Sequence, residues 1–75
     1  MDVPSMNHHI WADIVTGKTG VAFEFLAVRV MLGRMLPAVR SDPSTAPKHA
    51  AELHEMFARN AHLPSLQRDL AKVLR

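Results

Sequence analysis

Residues 21–36, VAFEFLAVRVMLGRML, decide how the chain is read. Val21, Phe25, Val28, Leu32 and Met35 recur at spacings of four and three, which places them along one face of a helix. Phe23, Leu26 and Val30 repeat the spacing on roughly the opposite face. A surface helix of a small globular protein needs one apolar stripe, and a helix with two is normally buried on both sides. The expectation is a central second helix over about 21–36, with one seam turned to its own chain and the other to a partner.

The rest of the sequence fits around that helix. A first helix is expected from about Ser5 to Val15, with Asp2 or Ser5 as its cap and Met6, Ile10 and Ile14 as its stripe. Gly17 and Gly20 then bracket a turn. Pro37 disfavours helical geometry at Leu36 and is expected to end the second helix. PAVRSDPSTAP, residues 37–47, reads as a stiff irregular connection.

A third helix is expected over about Ala46 to Asn60, capped by Ser44 or Thr45. Ala46, Ala50, Leu53 and Phe57 face inward, and Lys48, Glu52, Glu55 and Arg59 lie opposite. A break at 60–63 leads to Pro64, and the last helix buries Leu66, Leu70, Val73 and Leu74. No stretch alternates with period two over strand length between hairpin turns, so the expected fold is all-α, a small bundle of about four helices.

Seventy-five residues make one small domain, expected to span 1–75. A domain of this size buries only about 60% of its unfolded surface, so burial against a partner would matter. The last helix reaches Arg75 without a stop signal, which suits either a natural end or the N-terminal module of a longer protein. There is no cysteine, hence no disulfide and no thiolate metal site, and cytoplasmic localisation is the simplest expectation. The start MDVPSMN has an acidic residue where a secretory signal has basic ones. Glu24, Arg29 and Arg34 argue against a membrane span in the apolar run from Val21 to Val39.

No catalytic constellation stands out. Gly17-Lys18-Thr19 resembles the end of a phosphate-binding loop, but Ala12 occupies the position of the required upstream glycine, and no strand precedes it. The five histidines include no HxxxH pair; His8 and His9 diverge on a helix, and His49 and Glu52 share a side while His54 points away. No enzyme, cofactor or metal is therefore expected.

The favoured expectation is a non-enzymatic protein–protein interaction module: a homo-oligomerising adaptor (a dimer in the simplest case), a small regulator or a docking domain. Phe23, Leu26 and Val30 would form its partner interface, with Glu24 and Arg29 on the flanks setting register. The alternative is a small DNA-binding regulator that uses the mildly basic character of the chain, net charge +2. There Arg68, Lys72 and Arg75 on the last helix would meet phosphates or an acidic partner.

Overall fold

The computed structural model describes residues 8–74, with side chains from Ile10 onward. Four helices follow in order, α1 (His8–Val15), α2 (Leu26–Ser41), α3 (Ala46–Arg59) and α4 (Pro64–Val73), with a 3-10 turn at Pro43–Thr45 before α3. Among the described residues there is no strand, so the chain is an all-α bundle. Its radius of gyration of 11.4 Å matches the value of about 11 Å for a compact domain of this length. Asp2, Ser5 and Met6, expected to start the first helix, lie outside the described residues.

The core forms around α3. Leu53 and Phe57 are fully buried, with Ala50 and Met56 beside them, while Lys48, Glu52, Glu55 and Arg59 are exposed on the other side. That is the one-sided pattern expected of the segment. Trp11, Ile14 and Val15 of α1 pack onto it, with the Trp11 ring 5.1 Å from Phe57 in an edge contact. Val28, Leu32, Met35 and Val39 supply the inward stripe of α2, and Leu66 and Leu70 that of α4. Leu74, expected inside, is 44% exposed because it lies past the last turn of α4.

The second helix differs from expectation at both ends. It starts at Leu26, and residues 21–25 are not helical. Gly20, at φ 64°, turns the chain, and burial then alternates: Val21, Phe23 and Phe25 are half-buried while Ala22 and Glu24 are exposed. This is the period of an extended segment, not of a helix. The carboxylate of Asp69 on α4 holds it in place. Asp69 Oδ1 accepts from the Glu24 N–H at 2.7 Å, and Oδ2 accepts from the Phe25 N–H at 2.9 Å. Asp69 is fully buried, and a carboxylate persists in such a place only when its oxygens are used. Phe25 is then the cap residue, its carbonyl accepting from the Arg29 N–H at 3.2 Å.

At the other end α2 runs through Pro37 to Ser41. Pro37 removes the N–H that would meet the Gly33 carbonyl, which normally breaks a helix. Both residues lie on the exposed side, where water can take that carbonyl, and continuing the helix buries Val39. Asp42 ends the segment: its N–H donates to the Ala38 carbonyl, and its side chain accepts from the Ser44 N–H. Thr45 stands at the start of α3, with its hydroxyl donating to the Asp42 carbonyl.

Three substitutions test this arrangement. Phe57→Ala should cost about 3–5 kcal/mol by opening a core cavity. Asp69→Ala should cost about 2–6 kcal/mol, because it strands two N–H groups at about 1–3 kcal/mol each. Asp69→Asn, which keeps one acceptor, should cost less. Urea denaturation followed by circular dichroism measures all three.

Candidate interaction face on the second helix

The inward stripe of α2 leaves a definite outward face. Val28, Leu32, Met35 and Val39 fix the buried side; at 100° per residue the opposite side carries Leu26, Val30, Gly33 and Pro37. All four are exposed, Leu26 to 66% and Val30 to 48%. Arg29 and Arg34 border this line on its two sides, with Arg40 further along, and all three are exposed. Among the described residues none of these arginines forms an ion pair. A Cβ built on Gly33 meets nothing within 4 Å, so no packing inside the chain requires glycine there.

Beside this face, between α2 and α3, lies a groove of about 350 Å³ lined by Met31, Arg34, Met35, Ala38, His49 and Glu52. Its walls are largely apolar. His49 Nδ1 is buried without a hydrogen-bond partner, 3.8 Å from Glu52 Oε2. That distance is too long for a hydrogen bond. His54 lies elsewhere, its ring 5.1 Å from Trp11. Among the described residues no three histidine, aspartate or glutamate side chains converge as metal ligands. No described helix is long and apolar enough to cross a membrane.

The residues expected at a partner interface thus separate into two groups. Leu26 and Val30 share the exposed face of α2, flanked by Arg29. Phe23 does not join them. It belongs to the extended segment and turns inward, its ring edge-on to Phe57 at 6.4 Å, and it is half-buried like Phe25. Glu24 also leaves the interface: its Oε2 accepts from Lys72 Nζ at 3.0 Å, and its Oε1 from Arg68 Nε at 3.3 Å. Both departures have one cause. The Asp69 hydrogen bonds hold 21–25 extended, which rotates Phe23 and Glu24 off the helical face that periodicity assigned them.

The basic strip on α4 is correspondingly engaged inside the chain. Lys72 Nζ also donates to the Ala22 carbonyl at 3.1 Å and stands 4.0 Å from Asp69 Oδ1. Arg68 and Lys72 therefore fasten the extended segment to α4, and Arg75 lies outside the described residues. Asp69 was the residue that sequence reading missed. Its signal was an acid at i+3 from Leu66 and next to Leu70, on the apolar side of the last helix.

No family model matches the chain, and neither a curated protein nor a solved structure matches it.

The Glu24 cluster makes a pH-dependent prediction. Hydrogen bonds from Lys72, then Arg68, hold the Glu24 carboxyl below its ordinary value of 4.5. A depressed folded value stabilises the fold above the unfolded pKa, and that stabilisation is lost as pH falls through the folded one. The native chain should therefore melt higher than Glu24→Gln at neutral pH. The gap should close as the pH drops below 4.5, and added salt should narrow it at neutral pH. Thermal melts across pH and ionic strength read both effects.

Proposed function

We propose that this chain is a non-enzymatic protein–protein interaction module, an adaptor, regulator or docking domain, whose contact surface is the outward face of α2. The observation that carries this reading is the pair Leu26 and Val30, two large aliphatic side chains one turn apart, both left in water. Single exposed apolar residues are ordinary. A row of them on one helix, with glycine and proline continuing the line, provides the apolar stripe on which a second helix packs. The groove at Met31, Met35 and Ala38 adds apolar area next to it. The mechanism is burial: covering Leu26 and Val30 removes apolar surface from water at about 25 cal/mol per Å². Lacking cysteine, the module suits a reducing, cytoplasmic setting.

An interaction face differs from a stability face in how it responds to mutation. Val30→Asp should change folding stability by no more than about 0.5 kcal/mol, as for other exposed positions. The direct test places a photo-reactive benzoylphenylalanine at position 30, with a control at Glu55 on the solvated side of α3, in the cells that make the protein. A discrete protein adduct at position 30, lost when Leu26 is also changed to Asp, supports the reading. An adduct with a second copy of the chain counts equally. Equal and diffuse labelling at both positions contradicts it.

A further inference from the structure

The outward face of α2 carries a charge pattern as well as an apolar line, and the two together restrict what can cover it. Leu26, Val30, Gly33 and Pro37 follow one another at spacings of four, three and four, the spacing of the contact positions in a coiled coil. In that register Arg29 and Arg34 occupy the two flanking positions that face a partner helix, five residues apart. The helix contains no aspartate or glutamate. Glu24, the nearest acid before it, is held by Arg68 and Lys72.

A second copy laid on this face meets its own charge. In parallel, Arg29 of one copy faces Arg34 of the other. Antiparallel, Arg29 faces Arg29 and Arg34 faces Arg34. Like charges across such a contact select against the pairing. The three exposed arginines of α2 have no ion-pair partner among the described residues, so each is available to an incoming acid.

We infer that the occupant of this face is an acidic amphipathic helix of another protein. Its apolar residues would lie along Leu26, Val30 and Gly33, and its glutamates or aspartates would pair with Arg29 and Arg34. This inference rests on the reading of the face as an interface and adds the partner's chemistry to it. Gly33 supplies room for a large side chain, since nothing lies within 4 Å of the space above it. Pro37 marks the far end of the contact, where the helix loses a backbone hydrogen bond. With two large aliphatic residues to cover, the interface belongs to the small, transient class below about 1,200 Å².

The test uses the full chain and two synthetic three-heptad helical peptides. They share one leucine–isoleucine seam, with glutamate at the flanking positions of one and lysine at those of the other. Isothermal titration calorimetry should show the glutamate peptide binding at least about tenfold more tightly, with an affinity that falls as salt rises. The double variant Arg29→Glu, Arg34→Glu should reverse the preference, and gaining the lysine peptide also proves it folded. Val30→Asp should weaken both peptides. Equal binding of the two peptides overturns the acidic-partner inference and leaves the interface standing. So does a mass that doubles with concentration in light scattering while neither peptide binds, which makes a second copy the occupant. Binding to phosphatidylglycerol vesicles or a DNA duplex through Arg29 and Arg34, with no peptide bound, replaces the helix by an anionic surface. If no peptide, copy or anion binds and Val30→Asp changes nothing, the inference and the interface reading fall together.

Discussion

The buried carboxylate of Asp69 is the constraint around which this small fold is arranged. Burying a charge in a bundle this size is costly unless hydrogen bonds and countercharge replace the lost water. Here the two oxygens take the Glu24 and Phe25 N–H groups, Lys72 stands 4.0 Å away, and the N-terminus of α2 begins directly after. A negative charge at a helix N-terminus is favoured by the partial positive charge of its free N–H groups. Asp69 thus joins α4 to the start of α2 across more than forty positions of sequence, and it sets the residue at which helix can begin.

That starting point determines what the molecule shows to the outside. With 21–25 extended, Val21, Phe23 and Phe25 alternate inward and close the core from the side of Phe57. Leu26 becomes the first residue of a helix whose inward stripe is already filled by Val28, Leu32, Met35 and Val39. Leu26 and Val30 then have nowhere to go but solvent. A continuous helix from Val21 would have placed Phe23 on the same face and Glu24 beside it, giving a larger and more nearly neutral surface. The surface that exists is smaller, and the charged residues that α2 sets along it are all arginines.

How much of this could be read in the sequence depends on whether the deciding interaction is local. The inward stripe of α3 and its solvated face were legible because 3.6-residue periodicity alone separates Leu53 and Phe57 from Glu52, Glu55 and Arg59. The inward stripe of α2 was legible for the same reason, and so was the exposure of Leu26 and Val30 away from the chain's own core. Phe23 and Glu24 were misplaced because V-x-F-x-F obeys two periods at once, and only a contact with the last helix chooses between them. Pro37 was read as a stop because its local cost was visible and the gain from burying Val39 was not. Asp69 shows in the sequence only as an acid on the apolar side of the last helix, and nothing local reveals the two N–H groups that reach it from forty-five and forty-four positions away.

Whether that carboxylate holds residues 21–25 extended is measured most directly by site-resolved amide exchange combined with Cα chemical shifts by NMR. The Glu24 and Phe25 amides should exchange slowly, despite lying outside any helix, and their shifts should be those of extended backbone. Helical shifts beginning at Val21, or exchange at Glu24 and Phe25 as fast as at an open loop, would contradict it. The Asp69 latch and the small arginine-bordered face derived from it would then both be wrong.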